Sequence, residues 1–374
     1  MDLIKLKILR DELDVVDRAL IDCMAKRQAI VADIGKLKEA GGGQLRDFKR
    51  EAEVLAKVRE RAEQSGLDPQ IAGEVMKHLI AASLVSQEQR RLRVVSEGHD
   101  KRVLLFGGNG KMGRWFAAFF EAQGYVVEVS DPSGAPPGTV AVLDWQARAP
   151  MVDVIVIAAT LQQSERLLKE LNAIATKALI FDIGSVKSPL MAALEALAVT
   201  GHRVCSIHPM FGPSTNLLSG RHVLFMPVGT DEAMRAAQAL FAATPVEQLV
   251  LPLREHDELI AFVLGLSHAV NIAFVHALEK SHASMPHLLR ASSTTFDRQL
   301  KVAQAVVGEN PHLYFEIQHL NRARELSLCA LEEAVGTLLQ AVRSGNEAAF
   351  VRIMEAGREF LEARAEGRVD EITG

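Results

Sequence analysis

One histidine stands in a rigid surround in the second half of the chain: Ser206-Ile207-His208-Pro209-Met210-Phe211-Gly212-Pro213. Imidazole changes charge near neutral pH, so a histidine at the end of an apolar run suits removal of a hydroxyl proton while hydride leaves the carbon. A lone histidine is more often structural, and what raises this one is its place at a strand end with the rigid neighbours Pro209 and Gly212 after it. Upstream, Gly108-Asn109-Gly110-Lys111-Met112-Gly113 sets three glycines in GxGxxG spacing directly after the apolar run Val103–Phe106 and ahead of a helical stretch. The first glycine permits a tight turn, the second lets backbone approach a pyrophosphate, and the third lets helix and strand pack closely. Amides of the helix N-terminus then receive the phosphate charge. Asp131, about 20 residues further on and at the end of the next apolar run, is placed to bond ribose hydroxyls. A carboxylate there repels the extra phosphate of NADP, and Pro132-Ser133-Gly134 brings no arginine to offset it, so NAD is the expected cofactor. The competing reading of Asp131 is a turn residue ahead of Pro132.

The first 93 residues carry a second set of charges. Arg27 and Lys38 are eleven residues apart, about three helical turns, so they project from one helix face roughly 16 Å apart. Two long cations so placed can converge on one dianion. Arg10 lies about 25 Å upstream of Arg27 along the same helix, too far for the same site in one chain. Asp47, Arg50 and Glu51 share a face of a second helix, as do Ser83 and Gln87 on a third. Isolated charges on helices are usually solvated, and only the set as a whole points to a site.

These residues need scaffolds of two kinds. Leu6, Leu9, Leu13, Val16, Leu20, Met24, Val31, Ile34 and Leu37 recur at spacings of three, four or seven, the stripe of one long amphipathic helix. Gly41, Gly42 and Gly43 are expected to end it, and helices follow over about 47–64 and 71–93. So long a helix cannot cover its own stripe, which predicts a second chain against it. From Arg102 the pattern changes to short apolar bursts at 103–106, 125–129, 152–158, 178–183 and 204–207, with helical stretches between several of them. That alternation predicts a parallel sheet with helices on its faces. Further strands are expected at His222–Pro227 and Glu247–Leu251 around a helix at 231–242. After Pro252 the pattern is helical again, broken near Met285-Pro286 and Asn310-Pro311.

Composition narrows the partners. At 374 residues, 48% hydrophobic and 24% charged, the chain reads as two or three globular units. A net charge of -5 supplies no basic field for nucleic acid. Small acids are the expected ligands. Cys23, Cys205 and Cys329 are far apart without CxxC spacing, so neither disulfides nor a metal site are expected, and all three read as buried thiols of a reducing compartment. The N-terminus mixes acids and bases throughout, unlike a secretory signal, and no run reaches about 20 apolar residues. The expectation is a cytoplasmic protein without a membrane partner.

In its later part the chain resembles the prephenate dehydrogenase family. The loop GGNGKMG, the strand and turn DIGSVKSP, IHPMFGP, and EHDELIAF followed by His268 appear in order over roughly Arg102 to Arg343. The resemblance implies that His208 is the catalytic base, that Ser185 supports it and the substrate hydroxyl, and that His268 contacts substrate. The implied reaction is oxidative decarboxylation of prephenate to 4-hydroxyphenylpyruvate with NAD; arogenate, the aminated analogue, is the alternative substrate. One departure stands out: where enteric-type members carry a substrate-binding arginine six residues before the proline matching Pro311, this chain has Ala305. Arg298, about two turns earlier on the same helical stretch, is a cation able to fork onto a carboxylate. The alternative is that Arg298 pairs with a neighbouring acid while Lys301 or an arginine elsewhere takes the substrate.

The N-terminal part resembles the all-helical chorismate mutase family, including the motif RDFKRE from Arg46. Arg10, Arg27, Lys38, Asp47, Arg50, Glu51, Ser83 and Gln87 each match the residue type of that family's site. The implied chemistry is the pericyclic shift of chorismate to prephenate, in which catalysis is positioning plus electrostatics. By the same resemblance, arginines hold the two carboxylates, Lys38 and Gln87 meet the ether oxygen, Glu51 accepts from the substrate hydroxyl, and Arg10 comes from a second subunit. A non-catalytic, dimerising helical module is the competing reading. The implied architecture is an all-α chorismate mutase domain over 1–95, a linker over 96–101, an α/β Rossmann NAD-binding domain over 102–251 and an all-α dimerisation domain over 252–374, assembled as a homodimer.

Overall fold

The computed structural model describes residues 3–40, 46–95 and 98–370. The expected helix stop at Gly41, Gly42 and Gly43 and the start of the expected linker at Ser96 lie outside the described residues. The chain forms two compact units, Met1–Gly184 with Leu190–Pro252, and Ser185–Pro189 with Leu253–Gly374.

The first unit opens with α1 (Leu3–Ala40), α2 (Phe48–Gln64) and α3 (Pro69–Val95). Asp47 caps α2 by accepting from the Arg50 amide, and Pro69 opens α3 where its missing N–H costs nothing. Gly35 lets α1 approach α3: a Cβ there would stand 2.9 Å from Arg90 Nη2. The stripe on α1 is covered only in part, since Leu9, Leu13, Val16 and Leu20 are all exposed. Cys23, on the same helix, is exposed too, as is Cys329; of the three thiols expected to be buried, only Cys205 is. Both exposed thiols sit on helices whose apolar residues lack cover from their own chain.

The sheet follows as β1 (Arg102–Phe106), α4 (Lys111–Ala122), β2 (Val126–Ser130), β3 (Val140–Ala141), α5 (Trp145–Arg148), β4 (Val154–Ile157), α6 (Leu161–Leu171), β5 (Leu179–Asp182), α7 (Met191–Val199), β6 (Arg203–Pro209), β7 (His222–Pro227), α8 (Asp231–Ala239) and β8 (Glu247–Val250). The strand order is β3-β2-β1-β4-β5-β6-β7-β8. All neighbours are parallel except β6 and β7. The five bursts read as a parallel sheet are all mutually parallel; β7 runs antiparallel because no crossover helix separates it from β6, and a strand returning through a loop pairs antiparallel. The two-residue β3 is too short to leave a sequence pattern. Strand order reverses direction between β1 and β4, which opens a crevice at their C-terminal ends. Phe116, Phe120, Phe181, Phe225 and Phe241 fill the core, and Leu92 from the last turns of α3 is buried in the same cluster.

The second unit runs through α9 (Leu253–Ile260), a π-helical turn over Ala261–Leu266, α10 (Ser267–Lys280), α11 (Met285–Arg290), α12 (Thr294–Val307), α13 (Pro311–Leu320), α14 (Arg324–Arg343) and α15 (Glu347–Asp370). The expected breaks are helix starts, with Pro286 and Pro311 in the first turns and Asn310 capping α13. The continuous stretch Leu253–Lys280 is long and apolar enough, by length and composition, to cross a membrane, contrary to the reading that no segment is. Its charges lie at its two ends, in α9 and at Glu279–Lys280, and Phe262, Val263 and Ile272 between them are exposed. A helix covered by a second subunit has the same composition.

Candidate active sites

The glycine loop joins β1 to α4. Gly107 takes the left-handed turn at φ +71, so the tight-turn role falls one residue earlier than the expected Gly108. Gly108 is needed for room instead, since a Cβ there would lie 2.6 Å from Val129 Cγ1. At Gly113 a Cβ would lie 2.0 Å from the Gly107 carbonyl oxygen, which fixes the close approach of helix and strand. Gly110 caps α4, and a Cβ there would crowd the Gly107 carbonyl oxygen at 3.3 Å. Lys111 opens the helix as an exposed residue and Met112 packs against the core.

Asp131 makes the turn and also braces the glycine loop. Its Oδ1 accepts from the Ser133 amide at 2.8 Å, an Asx turn, while Oδ2 accepts from the Asn109 amide at 3.0 Å and so braces the glycine loop. Asp131 also lines a cavity of about 470 Å3 with Gly107, Ser130, Pro132 and Trp145. The one cation on that wall, Arg166, is bound to Glu170 at 2.6 Å. Asp131→Asn should keep the turn yet raise KM for NAD about tenfold, the scale of a lost charged hydrogen bond. Initial rates with NAD and with NADP check this, and an unchanged KM would leave Asp131 a turn residue alone.

His208 ends β6, 4% exposed, with Leu224 as its partner across β7. Two residues earlier, Ser206 Oγ donates to Asp182 Oδ1 at 2.5 Å, and the Gly184 amide donates to Asp182 Oδ2 at 2.8 Å. Asp182 thus fixes the ends of β5 and β6 together. Beyond His208, Phe211 packs on Trp115 of α4 at 5.0 Å between centroids, and Trp115 Nε1 donates to the Thr215 carbonyl at 2.9 Å. The histidine loop and the glycine loop therefore leave the same edge of the sheet and share α4 as a support. Sequence reading quoted Asp182 only as part of the motif DIGSVKSP and missed Trp115, whose only signal is proximity to the glycine loop.

Ser185, His268 and Arg298 belong to the second unit. There the turn Ser185–Pro189 is fastened by Asp257 of α9, whose carboxylate accepts from the Lys187 amide at 2.8 Å, the Ser188 amide at 2.7 Å, Ser188 Oγ and His256 Nδ1 at 2.7 Å. Burial pushes the Asp257 carboxyl up, but the bonds from His256, Ser188 and Lys187 outweigh it and hold it below the ordinary value. The stabilisation is therefore whole above the usual aspartate pKa of 3.8 and is lost as pH falls through the depressed value. Asp257→Ala strands several buried donors at once, and urea unfolding should show a loss of about 3 kcal/mol. A loss under about 1 kcal/mol would mean that water replaces the carboxylate.

His268 lies in the first turn of α10, just after the π turn, a distortion frequent at functional sites. Its ring packs on Tyr314 at 4.4 Å, its Nδ1 is buried without a hydrogen-bond partner, and burial lowers its pKa. It is neutral at pH 7 and offers a hydrogen bond rather than a charge. Gln318 Nε2 holds the Gly265 carbonyl inside the π turn at 2.8 Å. On α12, Arg298 and Ala305 are both exposed, as is Lys301.

Around the helices of the first unit, Arg27 Nη1 donates to Ser83 Oγ at 3.1 Å and to the Leu79 carbonyl at 3.2 Å. One turn along α3, Gln87 Nε2 donates to the Val31 carbonyl at 3.2 Å. Arg27, Ser83 and Gln87 are thus brought to one seam between α1 and α3. Glu51 is gripped by Arg46 through two parallel bonds of 2.9 and 3.1 Å. Arg50 is exposed and paired with Glu53, Asp47 is spent on capping, and Lys38 and Arg10 are exposed. One chain therefore assembles a partial constellation.

Three family models match the chain in succession: chorismate mutase type II over residues 9–88, the prephenate dehydrogenase nucleotide-binding domain over 141–250 and the prephenate dehydrogenase dimerization domain over 253–356. The T-protein of Enterobacter agglomerans is 26% identical over 350 residues, covering 93% of this chain and 90% of the relative. The T-protein of Haemophilus influenzae is 25% identical, covering 83% and 80%. Among solved structures, prephenate dehydrogenase from A. aeolicus in complex with hydroxyphenyl propionate and NAD+ superposes with a TM-score of 0.57 at 19% identity, over 71% of this chain and 98% of that one, a likeness of fold. With these models in sequence along one polypeptide, the chain belongs to the family in which a type II chorismate mutase domain is fused to a prephenate dehydrogenase.

Proposed function

We propose that the chain converts chorismate to prephenate in its helical module and then oxidises prephenate to 4-hydroxyphenylpyruvate with NAD, two consecutive steps towards tyrosine. The observation that carries this reading is that one chain holds both a seam of Arg27, Ser83 and Gln87 and a sheet edge bearing the glycine loop and His208.

In the mutase step no proton leaves the substrate, so the protein supplies shape and charge. Arg27 and Arg50 hold carboxylates, Lys38 and Gln87 meet the ether oxygen as its bond to carbon breaks, and Glu51, aimed by Arg46, accepts from the hydroxyl. Asp47 keeps the start of α2 in place, Ser83 orients Arg27, and Arg10 completes the site from a second subunit. The exposed apolar stripe of α1 favours that homodimer.

In the dehydrogenase step the glycine loop fits a dinucleotide, since Gly108 and Gly113 have no room for a side chain and a Cβ at Gly110 would crowd the Gly107 carbonyl. NAD, when bound, takes the hydride. Asp131 bonds its ribose, His208 takes the proton of the ring hydroxyl, and Ser185 supports that hydroxyl. The ring carboxylate leaves as carbon dioxide, and aromatisation drives the step. His268 offers a neutral hydrogen bond to substrate. For the side-chain carboxylate we assign Arg298, with which no acid forms an ion pair among the described residues. We place the domain boundaries at 1–95, 102–251 and 252–374, and the protein in the cytoplasm, without nucleic-acid or membrane partners.

Prephenate and NAD given to the purified protein should yield equal amounts of NADH and carbon dioxide, with kcat/KM for prephenate at least tenfold above that for arogenate. The reverse ranking would replace the substrate. Arg298→Ala should raise KM for prephenate and leave KM for NAD unchanged.

A further inference from the structure

The loop that follows His208 is held at its far end by the helices of the mutase module. Glu88, 3% exposed on α3, points both carboxylate oxygens at loop backbone: Oε2 accepts from the Leu218 amide at 2.8 Å and Oε1 from the Ser219 amide at 3.1 Å. Arg46 reaches the same place, donating Nη1 to Ser219 Oγ at 3.0 Å while its other nitrogens grip Glu51. Burial raises the Glu88 carboxyl above its ordinary value, against the pull of the two amides and Arg46. A fully buried carboxylate is weak as a source of stability, so its use here points to a geometric role.

The loop has two anchors of different origin. Trp115, on the cofactor helix α4, holds Phe211 and Thr215; Glu88 holds Leu218 and Ser219. Between them the backbone passes from the strand end that carries His208 to β7. Release of the Glu88 anchor frees the half of the loop beyond Trp115 and leaves the glycine loop untouched. Glu88 also adjoins Gln87 of the mutase seam, and Arg46 bridges Glu51 to Ser219, so a few residues of one module shape both sites.

We propose that Glu88, assisted by Arg46, is a positioning residue of the dehydrogenase supplied by the mutase module, fixing the loop beyond His208 in its prephenate-competent shape. This rests on the dehydrogenase reading above. The test compares the full-length parent with Glu88→Ala, Glu88→Gln and Ser219→Ala, reading amide hydrogen exchange at Leu218 and Ser219, kcat/KM for prephenate, and Kd for NAD. Glu88→Ala should speed exchange of both amides at least tenfold, lower kcat/KM for prephenate at least tenfold, and leave Kd for NAD within twofold. Glu88→Gln, which keeps an acceptor oxygen, should recover at least a third of that loss, and Ser219→Ala should cost about twofold.

Prephenate kinetics within twofold of the parent overturn the proposal, whether or not exchange rises. So does a parallel fall in prephenate and NAD parameters that tracks a lowered Tm, the mark of a merely structural residue. If Glu88→Ala does not fold, Glu88→Gln decides: an intermediate loss in prephenate kcat/KM with unchanged NAD binding supports the anchor, and parental values overturn it. A parent that makes no NADH from prephenate sinks the dehydrogenase reading instead, and amide exchange alone then decides whether Glu88 anchors the loop.

Discussion

Asparagine in place of His208 should lower kcat of the dehydrogenase about 10²- to 10⁴-fold, the range for loss of a general base, while chorismate consumption stays within twofold. Asparagine fills nearly the same volume and keeps a hydrogen-bonding group, so the packing of β6 against β7 and the Asp182–Ser206 bond should survive. The substituted amide cannot take the hydroxyl proton at any accessible pH. Parallel assays of NADH formation from prephenate and of chorismate disappearance measure both halves. A fall in both activities would point to a folding defect, and an unchanged NADH rate would remove His208 from the reaction.

Arg27→Ala carries the second large effect, on the other activity. Removing a preorganised cation from a charge-stabilising site costs about 10²- to 10³-fold, so mutase kcat/KM should fall by that factor while NADH formation from prephenate stays within twofold. The structural cost should be small. Ser83 Oγ keeps its contacts with Gln28 at 2.6 Å and Leu79 at 2.8 Å after the guanidinium is gone, so no buried polar group is stranded. Arg27→Lys should recover only part of the loss, because an ammonium cannot fork onto a carboxylate. Equal rates of parent and Arg27→Ala would favour the reading of the helices as a dimerising scaffold.

How far the sequence led depends on whether a feature is local. The strands and the glycine loop were legible because a buried parallel sheet demands apolar runs and a close-packed turn demands glycine at Gly108 and Gly113. The antiparallel return of β7 was not, since orientation depends on whether a helix or a loop joins two strands in space. The positive φ at Gly107 rather than Gly108 depends on how the loop clears Ala158 and Val129.

Site residues divide in the same way. Arg27, Ser83 and Gln87 follow from helical spacing and meet at one seam. Asp257 was legible only as part of a motif; its grip on the turn at Ser185–Pro189 is a contact across 69 and 70 residues. Glu88 reads in sequence as one more charge on a polar helix, and only folding brings it to Leu218, 130 residues away. Arg10 is a different case. The proposed role needs a second chain, which no pattern in one chain can place, and Leu9, Leu13 and Val16 beside it are exposed.

Chorismate and NAD supplied together to the purified full-length protein test the central claim most directly, because neither is a substrate pair for one activity alone. NADH should appear after a short lag, accompanied by 4-hydroxyphenylpyruvate in equal amount, and Arg27→Ala and His208→Asn should each abolish it, with added prephenate rescuing the first and not the second. No NADH from chorismate, together with none from prephenate, would contradict the account.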